Sequence, residues 1–98
     1  NDTIPIDGWL DALLDEAREH DDVWAVGSRL LYGDGSIQHA GVVFARETRS
    51  PYHPYRSLRA DDPRVSARRE LQAVTAACVL LPTERFAQCG AFGLFFIC

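Results

Sequence analysis

The stretch LLYGDGSIQHAGVVF, residues 30–44, decides the fold that the sequence predicts. Two apolar runs, residues 30–32 and 37–44, lie on either side of a Gly-Asp-Gly-Ser turn. An Asp-Gly pair readily takes the positive φ angles of a tight hairpin turn. We therefore expect a β-hairpin, in which Gly41 marks a bulge or a close approach of the backbone.

The residues before the hairpin predict an amphipathic helix and then a strand. Residues 7–20 repeat apolar side chains every three to four positions, so one face can be buried. These side chains are Trp9, Leu10, Leu13, Leu14 and Ala17. Asp7 is the expected N-cap, because its carboxylate can accept an unpaired backbone N–H. Residues 23–26 are short, apolar and followed by Gly27, which is typical of a buried strand.

The residues after the hairpin predict a loop, a strand and a short helix. Periodicity is lost over residues 45–70, which we expect to form a long, irregular, arginine-rich loop. Residues 71–81 are almost continuously apolar and predict a central strand covered on both faces. Thr83 is the expected cap of a helix that continues through Phe86, with Gly90 in a left-handed turn after it. The tail, residues 91–98, is strongly apolar.

Composition predicts one soluble globular domain over residues 1–98. The chain has 98 residues, of which 47% are hydrophobic and 24% charged. It contains no apolar run near the roughly 20 residues that span a bilayer, and no export signal. Its three cysteines lack the spacing of a zinc site or a disulfide framework, so we expect a reducing, cytoplasmic location. Because it begins at Asn1 and contains no methionine, we interpret it as a segment of a longer chain.

Charge is distributed unevenly along the chain. Residues 1–22 hold eight acids and one arginine, whereas residues 46–69 hold seven arginines and three acids. The net charge of −4 argues against general binding to nucleic acid, and no nucleic-acid partner is predicted. The arginine loop could instead offer Arg56 or Arg59, with neighbouring rings, to a phosphate or a sugar. The neighbouring rings are Tyr52, His53 and Tyr55. The alternative is a solvated loop without a ligand.

Four stretches, in this order, resemble the family-2 glycosyltransferases of bacterial surface-polysaccharide synthesis, which add rhamnose and similar sugars. They are Asn1-Asp2-Thr3 with Gly8-Trp9-Leu10, residues 26–41, residues 73–80, and Phe86 with Gly90-Ala91-Phe92. The resemblance implies an α/β fold that is part of the GT-A, Rossmann-like architecture of nucleotide-diphospho-sugar transferases. The chain would be its acceptor-side half, with a helix, a strand, a β-hairpin, a long loop, a central strand and a short helix.

The same resemblance implies an enzyme that transfers a sugar from a nucleotide-diphospho-sugar to a saccharide or lipid-linked acceptor. A divalent cation, Mg²⁺ or Mn²⁺, would neutralise the leaving diphosphate, and Asp2 matches the carboxylate that holds it. Asn1 and Asp2 would contact the donor. His39, Gly41 and Thr75 would lie on the acceptor side. Association with the periphery of the inner membrane is compatible with such an enzyme.

The sequence departs from the family pattern at its end. Gly93 and Leu94 follow Phe92, where the family has an Asp-Glu pair that contains the general base. The catalytic residue is therefore unknown, and we expect the segment alone to be inactive. The alternative is a non-catalytic saccharide- or protein-binding module derived from the same fold. A nucleic-acid binder is a third reading, supported only by the arginine cluster.

Each implied site residue also has a structural explanation. Asp2 could be a solvated terminal acid, and most surface acids carry no chemistry. A lone histidine such as His39 is usually structural or exposed. Thr75, with the alanines that follow it, could leave room for a sugar or simply permit tight packing of a helix.

Overall fold

A computed structural model describes residues 3–90 and shows a mixed α/β chain with short antiparallel strands. The helices are α1 (Trp9–Glu19), α2 (Pro63–Ser66) and α3 (Thr83–Gln88). The strands are β1 (Val26–Gly27), β2 (Leu30–Leu31), β3 (Ile37–His39), β4 (Val43–Phe44), β5 (Pro51–Tyr52) and β6 (Val79–Leu80). None of the helices described is both long and apolar enough to cross a bilayer.

The described residues form two compact units. The first contains residues 3–27 and 76–90, and the second contains residues 28–75. The first unit consists of α1, β1, β6 and α3. The second consists of β2 to β5 and α2.

In the first unit, α1 packs against the antiparallel pair β1 and β6, in which Val26 lies opposite Leu80. The predicted helix is confirmed, but only part of its apolar face is buried. Leu13 is 6% exposed, whereas Trp9 and Leu10 remain 43% and 46% exposed. Asp7 as the N-cap was wrong: the cap is Gly8, at a φ of 79°, and no side chain caps the helix. Glycine adopts this left-handed conformation without the steric cost of a Cβ.

The strand predicted over residues 23–26 is displaced and short. Only Val26 of that run lies in β1, and Trp24 is 61% exposed. The guanidinium of Arg85 lies 4.2 Å from the centroid of the Trp24 ring. A cation over an indole face is electrostatically favourable, which gives this apolar ring a partner outside the core.

The helix predicted after Pro82 is confirmed and extends from Thr83 to Gln88. Pro82 occupies the N-cap position and Thr83 is the first helical residue, so Thr83 as the cap was wrong. Gly90 adopts the predicted left-handed conformation, with a φ of 87°. Its N–H donates to the carbonyl of Ala87 over 3.0 Å, which closes the helix. The apolar tail predicted over residues 91–98 lies outside the described residues.

In the second unit, the predicted hairpin is confirmed by the antiparallel pairing of β2 with β3. Gly35 has a φ of 84°, and the Ser36 N–H and hydroxyl both donate to Oδ1 of Asp34. These hydrogen bonds stabilise the ionised form and lower the pKa of Asp34. The predicted second strand, residues 37–44, is divided. It stops at His39, and β4 pairs instead with β5 in a second hairpin.

The central strand predicted over residues 71–81 was wrong. Ala73 forms a single bridge with Val42, and only Val79–Leu80 forms a strand. Ala76 and Ala77 lie in an exposed turn between them. The run divides between the two units after Thr75. Its apolar residues therefore serve two small cores, and alanine methyl groups bury too little surface to require a continuous strand.

The segment predicted as an irregular loop, residues 45–70, contains β5, α2 and many arginine contacts. Asp62 caps α2 by accepting from the N–H of Arg64. The Arg64 side chain also binds this carboxylate, and together these hydrogen bonds lower the pKa of Asp62 to about 2. Arg59 pairs similarly with Asp61. These arginines therefore bind groups within the chain.

Candidate functional site

The candidate site is built around the buried imidazole of His39. His39 is the last residue of β3, where Ile37 and His39 are buried and Gln38 between them is exposed. This alternation follows from the two-residue repeat of a strand. His39 is 3% exposed. Among the residues that the structure describes, it is the one polar residue that is buried. A buried polar group requires hydrogen-bond partners, so its contacts define the site.

Nε2 of His39 accepts two backbone hydrogen bonds. The N–H of Gly41 donates to it over 3.2 Å, and the N–H of Thr75 donates over 3.3 Å. The structure therefore brings together the three residues that the sequence indicated for the acceptor side. Their contact with an acceptor stays a prediction.

The backbone around Gly41 produces this arrangement. Gly41 has a φ of 107°, which lets the chain fold back so that its own N–H reaches the ring of His39. The next residue, Val42, donates its N–H to the carbonyl of Ala73 over 2.9 Å and so holds Thr75 nearby. A Cβ placed on Gly41 would lie 1.9 Å from Cδ1 of Leu71. The predicted close approach at this glycine is confirmed.

A second histidine, His53, contacts the opposite nitrogen of His39. The two Nδ1 atoms lie 3.0 Å apart, and the rings meet edge to face with centroids 5.2 Å apart. His53 directly follows β5, which β4 holds beside the site. The sequence indicated His53 among the rings that the arginine loop could offer to a phosphate or a sugar, but it did not relate His53 to His39. No local periodicity relates residues 39 and 53, so nothing in the pattern could have indicated this pair.

The segment after His53 is also hydrogen-bonded to β3. The N–H of Ser57 donates to the carbonyl of Ile37, and the N–H of Ile37 donates to the carbonyl of Leu58, each over 2.8 Å. Tyr55 and Ser57 take positive φ angles of 64° and 69° to make this turn. Such conformations cost non-glycine residues about 1 kcal/mol or more. The surrounding contacts therefore hold this segment in a strained conformation.

The hydrogen bonds determine which nitrogens carry protons. Nε2 of His39 accepts from two N–H groups and so carries no proton. In the neutral ring the proton must then be on Nδ1. That N–H can donate only if Nδ1 of His53 is an acceptor, which leaves the proton of His53 on its Nε2. In the hydrogen bond between the two rings, Nδ1–H of His39 is thus the donor and Nδ1 of His53 is the acceptor.

The environment of His39 favours its neutral form. Burial, and then repulsion from His53, lower the pKa of His39 below 6.5, its ordinary value. A proton on Nε2 would also oppose the two backbone donors. The unfolded chain therefore binds a proton more readily than the folded chain, and folding stability must rise with pH through this range.

This linkage gives a measurable pH dependence. We expect the stabilising contribution of neutral His39 to be complete above pH 6.5 and to be lost progressively as the pH falls below it. Urea unfolding measured between pH 8 and pH 5 should show a falling midpoint. The His39→Gln variant, which has no titrating ring here, should show a smaller decrease. An equal decrease in both proteins would assign the effect to other groups.

Of the remaining predicted site residues, the structure describes the loop arginines and not the two terminal residues. Asn1 and Asp2, predicted to contact the donor and the cation, lie outside the described residues. Within residues 3–90, no group of three or more His, Cys, Asp or Glu side chains could hold a metal ion. Nε of Arg56 donates to the Tyr32 hydroxyl over 2.9 Å, while Arg59 binds Asp61. Both guanidinium groups thus have a partner within the chain, and their contact with a ligand stays a prediction.

The site is therefore a pair of hydrogen-bonded histidines in a small mixed α/β chain. Among known proteins, the chain is similar to the O-antigen biosynthesis protein RfbC of Myxococcus xanthus, with 37% identity over 100 residues. The match covers 94% of this chain, but the chain spans only 8% of the length of that curated relative. No family model matches the chain. No solved structure matches it significantly.

Proposed function

We propose that this chain is a segment of a glycosyltransferase that acts in cell-surface polysaccharide synthesis. The observation that carries the proposal is the similarity to a protein named for O-antigen biosynthesis, which extends over 94% of the chain. The order of motifs that resembles family-2 glycosyltransferases supports the same reading independently. In this proposal the segment is the acceptor-side part of a GT-A, Rossmann-like catalytic domain.

The parent enzyme would transfer a sugar from a nucleotide-diphospho-sugar to a saccharide or lipid-linked acceptor. Asp2 would hold Mg²⁺ or Mn²⁺, since carboxylate oxygen is a preferred ligand of both cations. We place the acceptor side around His39, Gly41 and Thr75. What supports this placement is that the three residues meet at one imidazole.

The alternative is a non-catalytic module that binds saccharide or protein. Gly93 and Leu94 favour it, because they stand where the family has its Asp-Glu pair. The glycosyltransferase and the binding module would both contact a saccharide, but only the glycosyltransferase would catalyse sugar transfer. A module would bind the sugar chain without supporting transfer.

The placement of the acceptor side around His39, Gly41 and Thr75 can be tested by titrating ligands into this chain and following its amide signals by NMR. We expect a soluble oligosaccharide prepared from bacterial O-antigen to shift the amide signals of Gly41 and Thr75. Uridine diphosphate with Mn²⁺ should leave these two signals unchanged, because the donor pocket lies elsewhere in the proposal. If only the nucleotide shifted them, the acceptor assignment would be refuted.

A further inference from the structure

The sequence pointed to His39 as a residue facing the acceptor, but its surroundings are those of an internal group. It is 3% exposed, and both ring nitrogens have partners within the chain. A side chain in this position cannot also bind a ligand without leaving its backbone donors unpaired, at a cost of about 1–3 kcal/mol each. His39 is therefore a positioning residue.

His53 has the opposite character. His53 is exposed, and its Nε2 has no hydrogen-bond partner within residues 3–90. Its Nδ1 is occupied by the N–H of His39, so the remaining ring position is an N–H donor that faces solvent or a ligand. The adjacent Tyr52 is also 50% exposed. Both side chains are therefore accessible to a ligand on the surface of the second unit.

We propose that His53 is a ligand-binding residue whose Nε2–H donates to a saccharide hydroxyl oxygen, and that His39 fixes it in this donor form. This inference rests on the function proposed above and adds a specific contact to it. In the pair, Nδ1 of His53 accepts from the N–H of His39, so the form of His53 that the pair selects carries its proton on Nε2. This form of the ring is a neutral donor.

A neutral donor suits an uncharged hydroxyl better than it suits phosphate. Hydrogen bonds to phosphate are strongest when the donor carries a positive charge. Both ligands would nevertheless present an oxygen acceptor to the same N–H. The experiment must therefore include both probes.

The proton positions can be measured on the isotope-labelled chain at pH 7.5 by long-range ¹H–¹⁵N correlation of the imidazole rings. We expect His39 in the Nδ1–H form and His53 in the Nε2–H form, with a scalar coupling between the two Nδ1 nuclei across the hydrogen bond. A cationic His53, or His39 in the Nε2–H form, would overturn the proposal. This readout does not depend on the proposed function.

Replacing His39 tests whether this residue fixes the protonation form of His53 or only stabilises the fold. In His39→Gln, the side-chain oxygen can accept from the backbone near the original Nε2 position, but the ring N–H at the Nδ1 position, which donates to His53, is lost. We expect His53 to become a mixture of protonation forms while the backbone spectrum stays folded. An unchanged His53 ring in the folded variant would refute its positioning by His39.

Binding is tested with the oligosaccharide and with inorganic phosphate on the unmodified chain. We expect the oligosaccharide to shift the His53 ring signals, whereas inorganic phosphate at equal concentration should not. His53→Ala should weaken oligosaccharide binding about tenfold, and His53→Gln, whose amide can still donate, should retain more of it. Because His53 is exposed, both variants should remain folded.

The outcomes separate the inference from the proposed function. Oligosaccharide binding that His53→Ala leaves unchanged would overturn the role of His53 alone. A response of His53 to phosphate and not to oligosaccharide would overturn the saccharide assignment. Failure of the unmodified chain to bind oligosaccharide, with the expected proton positions intact, would count against the proposed function and its saccharide contact, and would leave only the histidine pair established.

Discussion

Replacing His39 with alanine is expected to lower the free energy of unfolding by about 3–5 kcal/mol. The change removes the acceptor of the buried Gly41 N–H and of the part-buried Thr75 N–H, and a buried donor left unpaired costs about 1–3 kcal/mol. It also leaves a cavity in the second unit. Proteins of this size have a total stability of roughly 5–15 kcal/mol, so much of the chain population could unfold. Urea unfolding followed by circular dichroism measures the loss.

Two control variants separate these contributions. His39→Gln keeps an acceptor and should lose about half as much stability as His39→Ala. His53→Ala removes the acceptor of the His39 Nδ1–H and should cost about 1–3 kcal/mol, less than His39→Ala because the buried ring itself is kept. If His39→Ala cost no more than His53→Ala, His39 would not be the organising group of this site.

Introducing a methyl group at Gly41 is expected to lower the free energy of unfolding by about 2–6 kcal/mol. The new Cβ would lie 1.9 Å from Cδ1 of Leu71 and 3.1 Å from its Cγ, so the leucine must move. Overpacking of this kind typically costs about 1–3 kcal/mol. The φ of 107° adds a further strain of about 1–3 kcal/mol for a residue with a side chain. Because Gly41 also donates to His39, the movement should disturb the histidine pair as well.

The matched control is Gly33→Ala in the neighbouring hairpin. No atom lies within 4 Å of a Cβ built there, and its φ is not in the positive range. We expect a change below about 0.5 kcal/mol, as at ordinary surface positions. Measured in a Leu71→Ala background, the cost of Gly41→Ala should be smaller by its steric part, whereas the backbone strain should remain. If Gly41→Ala and Gly33→Ala were equally stable, the close approach at Gly41 would be disproved.

The elements that sequence predicted correctly are those with strong local signals. The helix α1 follows from its three-to-four apolar spacing, and the first hairpin follows from the Asp-Gly turn. Gly90 was recognised because a helix often ends in a left-handed glycine. These signals act within a few residues and do not require knowledge of the rest of the fold.

The elements that sequence missed depend on contacts between distant residues. The apolar run over residues 71–81 has no local mark to show that it divides after Thr75. The second hairpin pairs Val43 with Tyr52, although residues 45–50 between them give no simple turn signal. Tertiary pairing therefore overrode the local apolar pattern in both places.

The candidate site was predictable only in part. His39, Gly41 and Thr75 could be named from the resemblance, and the structure adds that they share hydrogen bonds. The function of His39 could not be deduced, because its burial and its pairing with His53 arise from tertiary folding. The exposed His53 is now the proposed ligand contact, and His39 supports it.

We propose that this chain serves a transferase in polysaccharide synthesis. The most direct measurement is a segment exchange, in which this chain replaces the matching region of the Myxococcus xanthus relative and O-antigen on the cell surface is quantified. A chimera carrying His53→Ala is the matched control, since that variant should fold. We predict that the chimera restores O-antigen and that the His53→Ala chimera restores markedly less. A stable, expressed chimera that restored no O-antigen would contradict the account.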